Sequence, residues 1–335
     1  MKVFISGHPL YNYLDSIAEG FRQNDCNVKI FKHKNTNVLK LLQRNYLKKI
    51  KSKFEINKIN KNLQKEVKEF NPDIFLAING EVLLKQTIQF INKISVSALW
   101  VVDGVSNIKL PLQSMELFHL QFIFEPTDKK TLKNAIYLPY ACQPSIYFKQ
   151  KLKKKYDISF VGSGHIDRLE ILNQIAEFCE KQTLIFAVFG PFNIFKDKSI
   201  INKYPALYKS IKINEKLDPK QVNTIYNETI ININIHHSQS KEGINPRVFE
   251  IFCSKNLQLL ENKIILKKIF PEIPSIFKYN NLPELFEKIQ ILLLDANKYN
   301  EKLDFLHATI KKKHTFLNRA FKIIELYEKE KQCLS

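Results

Sequence analysis

A glycine-rich turn in the second half of the chain has the composition of an anion site. The stretch FVGSGHIDR places Gly162, Ser163 and Gly164 between an apolar run and the start of a helix. Backbone N–H groups of such a turn, together with the positive end of the helix dipole, favour an anion. Arg168 follows in the first helical turn, where its guanidinium could contact phosphate in bidentate fashion. Asp167 replaces the third glycine of the GxGxxG fingerprint and no GxxxxGK[ST] motif is present, which disfavours NAD binding and P-loop chemistry.

A second stretch, NIHHSQSKEGINPRVFEIF, combines two carboxylates with one guanidinium. Glu242 and Glu250 are eight residues apart, and Pro246 suits the first position of a helix. We expect the loop to bring Glu242 to a cleft and Glu250 to accept two hydrogen bonds from a ribose diol. Arg247 would then offset diphosphate charge. The alternative is that Arg247 and Glu250 form an i,i+3 pair on the helix surface.

Other residues that could do chemistry also follow apolar runs. His8 lies in the first loop, where it either meets an acceptor or a leaving group or is a solvated loop residue. Asp103 in VVDG is a candidate functional carboxylate, and its alternative role is to form a turn before glycine. Adjacent His236 and His237 would face opposite ways on a strand, and no carboxylate or cysteine stands at ligand spacing. We therefore expect no metal site and no cofactor.

The elements that position these residues alternate along the whole chain. Short apolar runs rich in β-branched residues are separated by longer amphipathic stretches, which predicts βαβ units and parallel sheets. The series begins again after a linker rich in Pro, Gln and Lys over 139–155. We predict two doubly wound α/β domains, residues 1–142 with a last helix over 315–335, and residues 143–314. The predicted strands are 2–6, 27–31, 73–78, 95–102, 118–124, 135–138, 157–161, 183–189, 211–213, 229–235, 257–260 and 276–279.

Glycine is scarce, so its placement is informative. Six of the eight glycines lie close after the end of a predicted strand, where ligands of open α/β sheets bind. The six are Gly7, Gly80, Gly104, Gly162, Gly164 and Gly190. Glycine there permits positive φ and close approach of the backbone to a ligand, or simply a tight βα turn. We expect these turns to line a cleft between the two domains.

The charge balance is strongly basic. The 335 residues include 52 Lys+Arg against 33 Asp+Glu, a formal net charge of +19. Such a charge fits nucleic acid or an anionic membrane. Only five of these 52 basic residues are arginine, however, so a solvated lysine surface is the simpler explanation. The basic stretch 35–68 could dock on anionic lipid or present only such a solvated face.

Cysteine spacing and hydropathy indicate the cellular compartment in which we expect the protein. The five cysteines are far apart and form no CxxC, which disfavours a disulfide framework and a structural zinc site. No window of 18 apolar residues is free of charge, and the N-terminal apolar run is short for a signal peptide. We expect a cytoplasmic protein whose membrane contact, if any, is peripheral.

Five segments taken together resemble the CgeB-like (spore-maturation-protein-like) glycosyltransferases. The segments are DISFVGSGHIDRLEIL, YLPYACQPSIY, IININIHHS, NPRVFEIF and KKHTFLNRAFKII, and the resemblance extends over roughly residues 70–325. It implies a GT-B fold, with two Rossmann-like domains facing a central cleft and a nucleotide sugar bound to the C-terminal one. The last helix would cross back to the first domain.

The resemblance also implies roles for individual residues. The glycine turn with Arg168 matches the phosphate-facing turn, and Arg247 with Glu250 matches the Arg-x-x-Glu that holds diphosphate and ribose. Glu242 falls where the first Glu of E-x7-E would lie, near the donor sugar. The candidates for binding the nucleotide sugar are Gly162, Ser163, Gly164, Arg168, Gly190, Asn245, Arg247, Val248 and Glu250, and the catalytic candidates are Glu242, Asp103 and His8.

One turn departs from the family pattern. The family usually has a glycine shortly after the ribose-binding Glu, whereas this chain has Cys253-Ser254-Lys255-Asn256. Asn256 tolerates the left-handed conformation, so we expect the turn to persist with a reshaped donor pocket.

The function implied by the resemblance is sugar transfer from a nucleoside-diphosphate sugar, with UDP favoured. The acceptor would be a protein, glycan or glycolipid, and transfer would proceed with retention and without a bound metal. Two alternatives stay open. One is a GT-B-shaped protein that binds a sugar nucleotide or glycan without catalysis. The other is a basic nucleic-acid-binding protein, against which stands the absence of any recognised RNA or DNA module in the sequence.

Overall fold

The computed structural model describes residues 1–9, 12–33, 46–237 and 241–334. The chain folds into two compact units. Unit 1 comprises Met1–Tyr140 and Phe316–Ser335, and unit 2 comprises Ala141–Thr315. Each unit contains one six-stranded sheet with helices between its strands.

Unit 1 is an all-parallel sheet with the strand order β2-β1-β3-β4-β5-β6. Interior strands such as IFLAI and VSALWV are buried along their whole length, as expected for parallel strands covered on both faces. The strands are β1 (Lys2–Gly7), β2 (Asn27–Lys32), β3 (Ile74–Ile78), β4 (Val96–Val101), β5 (Leu120–Ile123) and β6 (Ile136–Tyr137). The helices are α1 (Tyr13–Arg22), α2 (Tyr46–Phe70), α3 (Lys85–Ile91), α4 (Leu112–Met115) and, at the end of the chain, α13 (Phe316–Leu334).

The C-terminal helix α13 packs on α1 of unit 1, as predicted. The two helices approach so closely that a Cβ on Gly20 would lie 2.3 Å from the main-chain oxygen of Phe316. The Asn24 amide donates to the Leu317 carbonyl at 3.1 Å, and the Arg319 guanidinium donates to the carbonyls of residues 139 and 140. Gly20 is therefore required by helix packing.

Unit 2 is also all parallel, with the order β12-β11-β10-β7-β8-β9. Its strands are β7 (Tyr156–Val161), β8 (Phe186–Phe189), β9 (Ile211–Ile213), β10 (Thr229–Asn234), β11 (Leu257–Glu261) and β12 (Lys278–Tyr279). Its helices are α5 (Ile166–Lys181), α6 (Lys198–Lys203), α7 (Pro205–Ser210), α8 (Pro219–Glu228), α9 (Pro246–Cys253), α10 (Leu266–Ile269), α11 (Leu282–Leu294) and α12 (Asn300–Lys313).

Strand order changes direction between β7 and β10, because β8 lies on one side of β7 and β11 lies on the far side of β10. Right-handed crossovers that run in opposite directions place their helices on opposite faces of a sheet. Accordingly, α5 packs against α7 and α11, whereas α9 packs against α8 and α12. The fold class predicted from the alternation of elements is confirmed.

Two predicted strands are shorter in the structure. The strand predicted over 183–189 begins only at Phe186, because Thr183 takes φ 57° at the end of α5. The strand predicted over 276–279 is reduced to Lys278–Tyr279 by a 3₁₀ turn over Ser275–Phe277.

Two further expectations need qualification. The basic stretch predicted over 35–68 is seen as a helix over Tyr46–Phe70, and its first part, 35–45, lies outside the described residues. The left-handed residue after α9 is Lys255, with φ 52°, and not Asn256. The Asn256 side chain instead donates to the Ser254 carbonyl at 3.0 Å. Within the described ranges, no helix is both long enough and apolar enough to cross a bilayer.

Candidate functional site

The point where strand order reverses in unit 2 is the expected ligand site of an open α/β sheet. It lies between the carboxyl ends of β7 and β10. The glycine turn 162–164 follows β7, and His236 with His237 follow β10. The helix α9, which carries Arg247 and Glu250, begins at Pro246 in the same loop region. The structure therefore gathers the two stretches that the sequence singled out.

The glycines of the turn are required by the close approach of the loops after β7 and β8. A Cβ on Gly190, at φ 128°, would lie 2.1 Å from the Gly162 carbonyl oxygen. A Cβ on Gly164 would lie 2.4 Å from the ring of Phe192. The N–H groups of Gly162 and Gly164 donate to the carbonyls of Phe189 and Pro191, at 2.9 and 3.0 Å. These two N–H groups therefore hold the turn to the neighbouring loop, and whether the turn binds an anion stays a prediction.

Two guanidinium groups at this point provide positive charge. Arg247 donates through Nη1 to the Val161 carbonyl at 2.7 Å and through Nη2 to the Ile235 carbonyl at 2.8 Å, joining the ends of β7 and β10. Arg168 reaches the carbonyls of Ser163 and His236 at the longer distances of 3.4 and 3.5 Å. Its weaker hydrogen bonding leaves Arg168 the better placed of the two to bind a ligand.

Burial and mutual repulsion mark the guanidinium pair as a site for a counter-anion. Both groups lie over the ring of Phe160, at 5.1 Å for Arg247 and 6.0 Å for Arg168. Burial, and then the charge of Arg247, lowers the pKa of Arg168 to about 9. Arg168 is still cationic at neutral pH, so an anion bound between the two groups would relieve their repulsion.

Glu250 lies in the interior. The residue is 5% exposed, and its carboxylate accepts a hydrogen bond from the Tyr226 hydroxyl at 3.3 Å. Burial, and then the Glu250 charge, raises the pKa of Tyr226, so the phenol stays protonated as the donor. The alternative of a surface pair between Arg247 and Glu250 does not fit this burial. Whether Glu250 holds a ribose stays a prediction.

A ladder of buried amides supports the loop before α9. Asn245 donates to Asn234 at 2.7 Å, Asn234 donates to Gln258 at 3.1 Å, and Gln258 donates to the Val248 carbonyl at 2.9 Å. The Val248 side chain is fully buried and its carbonyl accepts from Gln258, so it acts through packing and main-chain positioning, whereas a ligand contact of Asn245 stays a prediction. Sequence reasoning missed Asn234 and Gln258, although polar residues at interior positions of apolar strands were a signal for them.

A buried imidazole–carboxylate pair was also missed. Glu261, at the end of β11, accepts from the His236 main-chain N–H at 2.9 Å and contacts His236 Nδ1 at 3.0 Å. Burial lowers the pKa of His236 to about 4. Burial alone would raise the pKa of Glu261, but the hydrogen bonds from His236 lower it. The pair is therefore a neutral imidazole that donates to an ionised carboxylate.

A second pair of histidines flanks the start of α5. The rings of His165 and His237 lie 4.5 Å apart, and His237 Nδ1 is 4.0 Å from the Asp167 carboxylate. Burial, and then the neighbouring His237, lowers the pKa of His165. Among the residues that the structure describes, no group of three or more His, Cys, Asp or Glu side chains is arranged to hold a metal ion.

The three catalytic candidates lie in different surroundings. Asp103 is exposed and accepts hydrogen bonds from Gly104 N–H at 2.8 Å and from the Asn107 amide at 3.2 Å, which is the turn-forming role. His8 is half-buried after β1, and Glu242 is half-buried in the loop before α9. Sequence reasoning missed Glu81 after β3, where burial raises the carboxyl pKa beside Lys109.

Residues 168–325 match a family model described as glycosyl transferase-like. No curated protein sequence matches the chain. The family model thus covers the switch-point arginines, the buried Glu250, the helix α12 and the first half of α13. This match lies mostly within unit 2.

Solved structures that resemble the chain cover nearly its whole length. Sucrose-phosphate synthase from Thermosynechococcus elongatus is 9% identical, with a TM-score of 0.67 and 98% of each chain covered. A DNA-modifying β-glucosyltransferase, studied with and without its substrate uridine diphosphoglucose, is 16% identical, with a TM-score of 0.59 and 98% and 99% coverage. T4 phage BGT in complex with UDP and Mn²⁺ is 15% identical, with a TM-score of 0.58 and the same coverage. At these identities the likeness shows the fold, which is GT-B, and together with the family match it supports sugar transfer.

Proposed function

We propose that the protein is a glycosyltransferase that moves a sugar from a nucleoside-diphosphate sugar, with UDP favoured, to a hydroxyl of a protein, glycan or glycolipid acceptor. The observation that carries the proposal is the pair of guanidinium groups at the switch point of unit 2, buried Arg168 and half-buried Arg247, both over the ring of Phe160. A diphosphate is the anion that a two-arginine site in a GT-B fold would take. UDP is favoured because similar folds have been determined with UDP or UDP-glucose.

In the proposed reaction the bond between the anomeric carbon and the diphosphate oxygen breaks, a bond forms between that carbon and the acceptor hydroxyl oxygen, and the hydroxyl proton passes to the leaving diphosphate or to water. Negative charge grows on the leaving diphosphate, and the two guanidinium groups stabilise it. Arg247 is held rigidly by two main-chain carbonyls, so it needs little reorganisation as the charge develops. We propose retention at the anomeric carbon, CgeB-like ancestry and a cytoplasmic location as the finer parts of the same hypothesis, on the strength of the sequence resemblance.

Calorimetry with UDP, GDP, CDP, ADP and their common sugars tests the proposal on the full-length protein. We expect one diphosphate to bind, and Arg168→Gln to weaken it roughly 10- to 100-fold, the range for loss of a hydrogen bond to a charged group. Lys181→Gln is the matched control, because Lys181 is an exposed cation at the opposite end of the same helix. A thermal melt of each variant separates lost binding from lost folding.

Three results would decide against the proposal or narrow it. Equal affinity of Arg168→Gln and Lys181→Gln would exclude the switch point as the diphosphate site. Nucleotide binding without turnover of any donor, with or without added acceptors, would indicate a non-catalytic binding protein. Binding of a short DNA duplex in place of nucleotides would favour the alternative of a nucleic-acid-binding protein, which the net charge of +19 suggests.

A further inference from the structure

A pocket of about 340 Å³ opens at the carboxyl ends of β11 and β12 in unit 2. Its polar lining includes Glu261, Lys263 and Tyr279, and its apolar lining is Ile171 of α5 and Leu282 of α11. This volume falls within the range of small-molecule sites, roughly 300–1,000 Å³. None of the residues predicted from the sequence to bind the nucleotide sugar lines it.

Tyr279 gives the pocket an unused hydrogen-bonding group. The residue is 5% exposed, and its hydroxyl is buried without a hydrogen-bond partner in the described part of the chain. Burial, and then the charge of Glu261, raises the pKa of Tyr279, so the hydroxyl is a protonated donor. A buried hydroxyl without a partner is costly and rare in a folded protein. Its position in a pocket wall points to a ligand that supplies the missing partner.

The lining selects the chemical class of that ligand. Glu261 contributes an ionised acceptor, Lys263 and Tyr279 contribute donors, and Ile171 and Leu282 offer apolar contact. A phosphate would face the Glu261 carboxylate and be repelled. A pyranose ring carries hydroxyl groups around its edge and C–H groups on its faces, so it satisfies donors, acceptor and apolar walls together.

The pocket adjoins the guanidinium pair through one shared contact. Glu261 forms its wall and binds His236, whose carbonyl accepts the hydrogen bond from Arg168 Nε. Residues of α5 and α11 line the pocket. Glu250 of α9 instead contacts Tyr226 of α8, and these two helices pack together away from α5. A diphosphate at Arg168 would therefore have this pocket on one side and the predicted ribose-binding Glu250 on the other.

We propose that this pocket binds a monosaccharide ring, namely the sugar to be transferred, and that Tyr279, Lys263 and Glu261 determine which sugar the protein accepts. The inference rests on the proposed function in that the ring belongs to the donor. It departs from the sequence-based expectation, in which Glu242 alone was placed near the donor sugar.

The test compares the affinity for the free nucleoside diphosphate with the affinities for its sugar conjugates. Calorimetry would give the Kd of UDP and of UDP-glucose, UDP-galactose and UDP-N-acetylglucosamine, or of the equivalent set for another base. For the preferred sugar, we expect Tyr279→Phe to weaken binding about three- to tenfold, as for one lost hydrogen bond, while the Kd of the free diphosphate is unchanged. Tyr208→Phe is the control, since Tyr208 is a half-exposed tyrosine of α7 in the same unit.

A melting measurement and the other possible binding results complete the test of the pocket. Tyr279→Phe should melt no lower than wild type, because it removes only an unpartnered hydroxyl. If the Kd of the sugar nucleotide does not change, or the diphosphate weakens equally, the pocket assignment is overturned. If wild type binds no nucleotide, the proposed function fails, and ligand-observed NMR with free glucose, galactose and N-acetylglucosamine decides the pocket. Binding of a free sugar to wild type that is lost in Tyr279→Phe would support a monosaccharide site. No binding of any of these sugars to wild type would overturn the proposal.

Discussion

Glu261 holds His236 by two contacts, 2.9 Å from the main-chain N–H and 3.0 Å from Nδ1. Because Glu261 ends β11 and His236 follows β10, the pair ties the carboxyl ends of two neighbouring strands beside the switch point. A neutral imidazole that donates through Nδ1 presents Nε2 as an acceptor, and in the described chain Nε2 is buried without a partner. Protonation of this imidazole at Nε2 would place a positive charge on a buried ring, which burial disfavours.

The first prediction is that stability falls as the pH drops from 6.5 towards 4. Burial lowers the pKa of His236 and of His33 to about 4 from the ordinary 6.5. The unfolded chain therefore binds more protons than the folded chain in this window, so the free energy of unfolding rises with pH across it. We expect roughly 1–3 kcal/mol from each histidine. Urea unfolding at about pH 4.5 and about pH 7 measures the difference.

His236→Gln should remove a large part of that pH dependence, whereas His237→Gln should remove much less. His237 is the matched control because it is the adjacent histidine and its side chain is 26% exposed. A wild-type protein equally stable at both pH values would show that these imidazoles are not held neutral by the fold.

The second prediction concerns the glycine contact between the loops after β7 and β8. Gly190→Ala would place a Cβ 2.1 Å from the Gly162 carbonyl oxygen at a φ of 128°, so we expect it to destabilise the protein by more than about 2 kcal/mol. Gly104→Ala is the control, because the nearest atom to its Cβ would be in the Asn107 side chain, at 3.3 Å. Thermal melting compares the two, and equal shifts would refute the close contact.

The third prediction is that a divalent cation is dispensable for binding the nucleotide. Arg168 and Arg247 supply the positive charge that a metal ion would otherwise bring to a diphosphate. We expect EDTA to change the Kd of the bound diphosphate by less than about twofold. The comparison is made with Mn²⁺ and Mg²⁺ added back, since a similar fold holds UDP with Mn²⁺. A loss in EDTA that either metal restores would contradict metal independence.

The fourth prediction tests the basic helix α2 as a lipid-docking surface. Lys53, Lys58 and Lys61 are exposed, and beside them Phe54 is 70% exposed. Docking on anionic lipid would give binding to vesicles that contain phosphatidylglycerol at low salt and release at high salt. Lys58→Glu with Lys61→Glu should weaken the partition at least about tenfold, given about 1 kcal/mol per basic residue.

The control for α2 is Lys181→Glu with Lys209→Glu, which makes the same change in net charge at exposed sites of unit 2. If both double variants lose vesicle binding equally, only the overall charge matters. If wild type does not bind at low salt, the lysines of α2 form a solvated face.

Several elements could be predicted because their signals are local. The strand Ile211–Ile213 and the helix that begins at Pro246 match the sequence pattern closely, since apolar runs and a proline at the first helical position act within a few residues. The strand predicted over 276–279 was too long, because a 3₁₀ turn over Ser275–Phe277 takes up its first two residues. Local periodicity cannot supply that information.

The sequence alone determined that two parallel α/β units alternate along the chain and that a glycine turn and an arginine-bearing helix follow two of their strands. Only the tertiary structure decided what these residues touch. The Val161 carbonyl that Arg247 binds lies 86 residues away, and Glu261 is 25 residues from His236. Which carbonyls, amides and carboxylates meet depends on strand order and register, and those are settled by packing between distant segments, beyond the reach of local patterns.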